Sequence, residues 1–276
     1  MQQVLRSLFV DLLIQKTLKV KSSVTKRDNA YSVPRLTISI HFDRSIMNDS
    51  DKIRISEEMS NNLFQMFQRH ENIANMTEDV DFIMQCAFDK KKSVWEYCSG
   101  HLYVLALISP NIRKYILDLM DKGNLHQKFI IVCSTTFRPL SLISDMEYDK
   151  EAYIVLLKEI VKSAIACKSI KIKSMGIQRA MQLQFNSLSP MIKSELTNNE
   201  SLLKSHGWIY HIMTKGYSLE QSENGIWIHF HGGGLRLNVN MDDVDDVDKY
   251  IQQNYADRIQ LQFIPHNGME HLRHLF

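Results

Sequence analysis

Apolar residues recur at intervals of three and four positions along most of this chain, and that spacing is typical of amphipathic helices. The pattern predicts helices over residues 2–18, from Ser50 or Ser56 to Phe67, and over 82–88. Capping and charge signals predict further helices, which begin at Ser109, Asp149, Ser174, Ser189 and Asp242. Helix is therefore the main element expected throughout the chain.

Strands are predicted where apolar and polar residues alternate, or where bulky β-branched residues follow one another. Residues 36–42 alternate in this way, and Phe129–Ser134 is a short apolar run typical of a buried strand. The run from His101 to Ile108 is equally apolar, and its period fits either a buried strand or a short core helix. Both alternatives stay open for that run.

The stretch from Leu202 to Asn238 organises the C-terminal half, because a helix end meets a β-hairpin there. We expect Gly207 to end the helix and Trp208–Met213 to form the first arm of the hairpin. Ile226–Phe230 forms the second arm. The turn over Gln221–Gly225 ends in Asn-Gly, a pair that supplies the positive φ of a hairpin turn.

These elements predict a mainly α protein with small β wings, arranged as tandem winged-helix domains. Residues 1–135 are expected to form a helix-rich, winged-helix-like domain with a polar insertion near 19–35. After a connector at 136–148, residues 149–240 form a second winged-helix domain, in which three helices precede the wing. Residues 241–276 add an acidic helix and a short apolar tail.

The net charge is only +2, but the charges are unevenly distributed. Residues 161–215 contain eight lysines and arginines against two acidic residues, whereas residues 216–276 contain four against nine. The basic segment is either a solvated face of ordinary kind or a surface for the phosphates of double-stranded DNA. The candidate DNA-binding residues are Lys168, Lys171, Lys173, Arg179, Lys193 and Lys204.

Motifs that would indicate catalysis or metal binding are incomplete. His229–Gly234 contains the H-G-G-G of a lipase oxyanion loop, but the sequence has no G-x-S-x-G elbow to accompany it. The acidic run Asp242–Asp248 lacks the glycine and the terminal glutamate of a calcium loop. The four cysteines have no zinc-site spacing and are expected to be core thiols. We therefore expect no enzyme activity, no metal and no cofactor.

The C-terminal half resembles the non-SMC element one subunits of the SMC five/six chromosome-maintenance complex. Members of that family have two winged-helix domains followed by a RING-type zinc domain. The resemblance covers roughly Ser134 to His266 and is one of pattern more than of identity. The segments that match in order and spacing are Ser201–Ile209, Gly225–Ile228, Lys249–Ile251 and Asn254–Asp257.

The sequence departs from the family where the first zinc ligands would stand. The family's C-x-x-C-H falls on Gln262–His266, so both cysteines are replaced and only His266 remains. A RING-type domain depends on zinc for its folding free energy. The resemblance therefore implies a divergent member with a degenerate RING segment and no RING domain, in which ubiquitin-ligase activity is lost.

The resemblance also implies a role and a set of partners. The role is that of a non-catalytic scaffold subunit in a nuclear, chromosome-associated complex for DNA repair and recombination. The partners are the MAGE-like winged-helix protein non-SMC element three, the kleisin non-SMC element four and the SMC heterodimer, and the assembly binds double-stranded DNA. The alternative function is that of a stand-alone tandem winged-helix DNA-binding regulator.

The candidate partner interface lies on the last part of the chain. Its tail residues either dock on the partner or pack on their own domain. No apolar run approaches the ~20 residues of a membrane span, so no membrane partner is expected. The interface residues are Trp208, Tyr250, Tyr255, Ile259, Leu261 and Phe263.

Overall fold

The computed structural model describes residues 47–69, 77–137, 139, 147–222, 225–230, 233–237, 246–260 and 274–275. The chain forms two compact units, Met1–Lys52 and Ile53–Phe276, and nearly all of the described residues belong to the second. Over the described residues the protein is mainly helical, with a small three-stranded antiparallel sheet. The predicted mainly α composition with a small β element is thereby confirmed.

The described elements fall on the two sides of residues 138–146. On the N-terminal side lie α1 (Asp49–Gln68), α2 (Thr77–Ala87), α3 (Lys92–Ile108), α4 (Pro110–Lys122) and α5 (Leu125–Ser134). On the C-terminal side lie α6 (Glu147–Ile165), α7 (Ile170–Gln182), α8 (Ser189–Thr197), α9 (Glu200–Lys215), β1 (Tyr217–Ser222), β2 (Gly225–Phe230), β3 (Gly233–Arg236), α10 (Val247–Asn254) and α11 (Ala256–Gln260). A 3₁₀ turn at Asn186–Leu188 leads into α8.

The predicted start and stop signals around α4 are confirmed. The Ser109 hydroxyl accepts a hydrogen bond from the backbone N–H of Ile112, and Pro110 occupies the first turn. At the other end, the Gly123 N–H donates to the Leu119 carbonyl oxygen at 2.8 Å. The signals act because they satisfy backbone groups that have no partner inside the helix.

The strand predicted at Phe129–Ser134 is wrong, because these residues complete helix α5. That helix begins with a capping box, in which Asn124 Oδ1 accepts from the Gln127 N–H at 2.9 Å and Gln127 Oε1 accepts from the Asn124 N–H at 3.0 Å. The undecided run His101–Ile108 is helical too, as the second half of α3. Both runs are apolar because neighbouring helices surround them, and burial on several sides removes the polar face.

The helix end predicted at Gly207 is wrong, and so is the strand predicted at Trp208–Met213. Helix α9 continues to Lys215, and Gly216 ends it in the left-handed region with φ +88°. Burial in this stretch follows the helical period, since Ile209 is buried whereas Trp208 is exposed. The apparent alternation arose because aromatic and apolar residues occupy both the buried and the exposed sides of α9.

The third helix predicted for the second domain is divided in two. Asn199 has an extended backbone, and its side-chain oxygen accepts from the Leu202 N–H at 3.1 Å, so that Asn199 caps a new helix. The segment that begins at Ser189 therefore forms α8 and α9 rather than one helix. Four helices, not three, precede the sheet on this side of the described chain.

The sheet has the strand order β1-β2-β3 with both pairs antiparallel. Ser222 pairs with Gly225, and Gly225 has φ +110°. The positive φ predicted for Gly225 and the predicted arm Ile226–Phe230 are confirmed, whereas the partner arm is Tyr217–Ser222 and takes in Gln221 and Ser222 of the predicted turn. Because side chains alternate across a strand, Tyr217, Ile228 and Phe230 share one face.

Two hydrophobic cores hold the described elements. The main core is continuous from Leu63 in α1 to Met213 in α9 and contains residues from both sides of the connector. A smaller core, here called the wing core, joins the apolar face of the sheet to α10 and α11. Its buried members are Tyr217, Ile228, Phe230, Leu237, Ile251 and Ile259.

No helix among the described residues is both long and apolar enough to cross a membrane.

Several predicted features lie outside the described residues, and the predicted domain boundaries remain predictions. The undescribed features are the helix at 2–18, the insertion at 19–35, the strand at 36–42, the acidic residues 242–245, and the tail residues Leu261, Phe263 and His266.

Candidate functional site

Three of the six candidate DNA-binding cations, Lys168, Lys193 and Lys204, are exposed lysines on or beside the C-terminal helices. Lys168 precedes α7 and Lys204 lies in α9, and neither makes a hydrogen bond or ion pair to the part of the chain that the structure describes. Lys193 in α8 is also exposed, with its Nζ 5.9 Å from the ring centroid of Tyr210. These three side chains keep their charges accessible to solvent.

The other three cations make internal contacts. Lys173 forms an ion pair with Glu195 that links α7 to α8, and both side chains are largely buried. Lys171 Nζ lies 4.1 Å from the ring centroid of Phe129 in α5, a cation–π contact. Each contact stabilises the packing of α7 against a neighbour, independently of any ligand.

Arg179 uses its guanidinium group for hydrogen bonds within the chain. Its Nε donates to the Val132 carbonyl oxygen at 3.2 Å, and the guanidinium also donates to the carbonyl oxygen of Cys133. Its remaining nitrogen donates to Gln182 Oε1 at 2.7 Å. Arg179 therefore satisfies the last carbonyls of α5 and places a positive charge at the negative end of that helix.

The structure brings together only part of the predicted basic set. Lys171 and Arg179 line one cleft beside α5, whereas Lys193 and Lys204 lie on α8 and α9. Reversal of the charge at Lys173 or Arg179 would break an internal contact as well as any contact with phosphate. Lys168 and Lys204 are consequently the more informative positions for a test of DNA binding.

The residues of the predicted partner interface separate into two groups. Tyr250, Tyr255 and Ile259 belong to the wing core, and the Tyr255 ring lies 5.9 Å from that of Phe230. Ile259 therefore packs within the chain, which is one of the two alternatives stated for the tail residues, and Tyr250 and Tyr255 are half-buried against the same core. Leu261 and Phe263 lie outside the described residues.

Trp208 is the described member of that set that faces solvent. Its side chain is 44% exposed, and the indole N–H donates to the Ser205 carbonyl oxygen at 3.1 Å. Leu203, in the same helix, is 51% exposed and was not singled out from the sequence. The adjacent pair Leu202-Leu203 indicates this exposure in the sequence, because neighbouring side chains of a helix point about 100° apart. Only Leu202 of the pair reaches the core.

A polar contact fixes α10 beside the start of the sheet. Asp248 accepts hydrogen bonds from Lys215 Nζ at 2.8 Å and from the Tyr217 hydroxyl. The hydrogen bonds from Lys215 and then Tyr217 lower the pKa of the Asp248 carboxyl, while burial and the neighbouring carboxylate raise the pKa of Tyr217. Asp246 caps the same helix, its side chain accepting from the Lys249 N–H at 3.0 Å.

His206 links α9 to α7. Its Nε2 lies 2.8 Å from Ser174 Oγ and 3.2 Å from Gln178 Nε2, and its Nδ1 lies 2.6 Å from Ser205 Oγ. Burial lowers the pKa of the imidazole, so the neutral form is favoured. The arrangement satisfies both ring nitrogens in the neutral state and holds two helices together.

His229, from the H-F-H-G-G-G stretch of the sequence, contacts a carboxylate on the neighbouring strand. His229 Nε2 lies 2.8 Å from Glu220 Oε2 across the β1–β2 pair, on the face opposite the wing core. Over the described residues, no three His, Cys, Asp or Glu side chains cluster in a way that would hold a metal ion. His231 lies outside those residues.

The geometry of this region is that of a helical surface ending in a small sheet, with an exposed tryptophan on the helix that leads into the sheet. Comparison with protein-family models, curated proteins and solved structures gave no match for this chain.

Proposed function

We propose that this protein is a non-catalytic scaffold subunit that binds another winged-helix protein through the exposed side of α9. Helices followed directly by a three-stranded antiparallel sheet support a winged-helix unit in the C-terminal half. Gly216 supports this further, because its left-handed conformation turns the chain from α9 into β1 without a loop.

The observation that carries the proposal is the exposure of Trp208 and Leu203 on α9. Exposure of large apolar side chains to water is unfavourable and their burial against a partner is favourable, and tryptophan is enriched among the residues that dominate binding energy at interfaces. The rest of α9 anchors the helix firmly, since Leu202, Ile209 and Met213 are buried in the main core. A rigid helix with an exposed anchor suits protein recognition.

The resemblance described above supplies the finer part of the proposal. It points to the MAGE-like non-SMC element three as the direct partner, and to the kleisin and the SMC heterodimer as the wider complex. Such a complex would act in the nucleus, on chromosomal DNA. The loss of both zinc-site cysteines at Gln262 and Pro265 supports a member without ligase activity.

The test is affinity purification of the full chain from native extract, followed by mass spectrometry. We expect a MAGE-like protein and SMC proteins to co-purify, and Trp208→Ala and Leu203→Glu to reduce their recovery. Leu125→Glu is the matched control, because Leu125 is an exposed leucine at the start of α5, far along the chain from α9. A stable monomer that recovers neither partner would overturn the proposal.

A DNA-binding regulator is the second candidate, and the exposure of Lys168 and Lys204 favours it. Phosphate contacts predict binding that weakens steeply with salt. Charge reversal at these two positions should then weaken binding to duplexes of any sequence and reduce the salt slope by about one per lost contact. Unchanged affinity in the double variant Lys168→Glu, Lys204→Glu would remove this candidate.

A further inference from the structure

Residues of α3, α5 and α7 line a cleft of about 670 Å³. That volume is within the roughly 300–1,000 Å³ of sites that hold ligands in proteins. All three helices are anchored in the main core on their other sides, through residues such as Leu102, Ile131 and Ile177. The cleft is thus a preformed feature of the helical framework, separate from the exposed side of α9 and from the sheet.

An aromatic corner forms the apolar part of the cleft. The rings of Trp95 and Phe129 lie 6.2 Å apart, centroid to centroid, at an interplanar angle of 83°. Perpendicular rings enclose a corner that fits an inserted aliphatic or aromatic side chain. They do not form the flat platform on which nucleotide bases stack.

Positive charge surrounds that corner. Lys171 holds its ammonium group over the Phe129 ring, and Arg179 and Lys92 also line the cleft. One carboxylate, that of Glu96, lines the cleft, and it lies 3.8 Å from Lys92. Cations therefore exceed anions, which favours a ligand with one or two negative charges next to an apolar group.

A glycine in the middle of α3 keeps the cleft open. Gly100 lines the cleft, and a Cβ built on it would meet no atom within 4 Å. Glycine destabilises a helix interior relative to alanine. No neighbouring atom requires a glycine at this position, because a Cβ would fit there. A side chain at this position would project into the space of the cleft.

We propose that this cleft binds a short acidic segment of a protein partner, with an apolar side chain in the Trp95–Phe129 corner and a neighbouring carboxylate at Lys171. A peptide fits better than a nucleic acid for two reasons. The Glu96 carboxylate would repel a continuous chain of phosphates, whereas a peptide can present an uncharged residue there, and Lys171 already covers a face of the Phe129 ring. The site goes beyond the pairing through α9, because it needs neither that helix nor the sheet.

The experiment is a selection of random-sequence peptides displayed on phage against the full chain, followed by fluorescence anisotropy with the enriched peptide. We expect enrichment of sequences in which leucine or an aromatic residue stands beside aspartate or glutamate. Lys171→Glu should weaken the enriched peptide by about tenfold or more, as expected for loss of a charge-assisted contact. That variant should fold, because an acidic residue in the first turn of α7 is favoured by the helix dipole.

Two further variants complete the test. Gly100→Leu should abolish binding by filling the cleft while it improves the helix propensity of α3. Lys168→Glu, which makes the same charge change outside the cleft, should leave the affinity unchanged. The proposal fails if no acidic sequence is enriched, or if Lys171→Glu and Gly100→Leu bind as the wild type does. It also fails if a single-stranded oligonucleotide displaces the peptide at equal concentration, which would assign the cleft to nucleic acids.

Discussion

Arg179 in α7 donates from Nε to the Val132 carbonyl oxygen in α5, at a distance of 3.2 Å. This bond joins a helix on the N-terminal side of the connector to one on its C-terminal side. Tyr153 in α6 makes a similar link, since its hydroxyl donates to the Thr136 carbonyl oxygen at 2.8 Å. The end of α5 is thus held by side chains from the second half of the chain, and a residue that reads as a DNA contact in the sequence acts as a helix cap.

We expect Arg179→Met to lower the free energy of unfolding by about 1–3 kcal/mol, because two carbonyls of α5 lose a charged donor while the apolar stem is kept. Lys168→Met is the control and should change stability by less than about 0.5 kcal/mol, as for other exposed positions. Urea unfolding followed by circular dichroism measures both. Equal midpoints for the two variants would contradict a structural role for Arg179.

Two helix-interior glycines should respond in opposite directions to alanine. At Gly176 a new Cβ would lie 2.8 Å from Ala164 Cβ and 3.0 Å from the Ile165 nitrogen, so α7 would be pushed away from α6. Such overpacking costs about 1–3 kcal/mol, which exceeds the gain of roughly 1 kcal/mol in helix propensity. At Gly100, where the Cβ meets open space, only the gain remains.

Thermal unfolding of Gly176→Ala and Gly100→Ala therefore compares one substitution in two environments. The midpoint should fall for the first and rise for the second. A rise for both would mean that α6 and α7 can separate without cost.

Helix ends are predicted more reliably from residues that form hydrogen bonds with unpaired backbone groups than from the spacing of apolar residues. Ser109 and Gly123 mark α4 correctly, because their capping groups act locally. The capping box at Asn124 and Gln127 was equally local and would have identified α5. The β-branched content of Phe129–Ser134 misleads, because a helix buried on several sides is as apolar as a buried strand.

The functional surface was predictable only in part, since the sequence gives the charge of a residue but not its neighbours. Lys173 and Arg179 belong to the basic segment as expected, yet a glutamate on α8 and carbonyls of α5 engage them. Gly100 offers no sequence signal beyond its low helix propensity, because the cleft that it opens is formed by helices distant in the chain.

The contact of Asp248 with Lys215 and Tyr217 should make a small, pH-dependent contribution to stability. Because the folded-state pKa of this carboxyl is lowered, the contribution is present above its ordinary pKa of 3.8 and is lost as the pH falls through the lower folded value. The side chain is more than half exposed, so Asp248→Asn should cost no more than about 1 kcal/mol at neutral pH. Asp118→Asn, on the exposed face of α4, is the control and should have no such effect.

Acid should destabilise the protein through His206. Its folded-state pKa is below the ordinary 6.5, so the unfolded chain takes up a proton more readily, and stability falls as the pH drops below about 6.5. His206→Gln keeps a polar side chain beside Ser174 but removes the titration, and it should reduce the loss of unfolding free energy between neutral and mildly acidic pH. Burial lowers the pKa of His101 as well, so part of the acid sensitivity should remain.

The control for this measurement lies on the same helix. His211 is exposed in α9, and His211→Gln should change the pH dependence of stability less than His206→Gln does. Urea unfolding at a series of pH values gives the free energy for each protein. If His206→Gln and His211→Gln follow the same pH dependence as the wild type, the imidazole of His206 is not held neutral between α7 and α9.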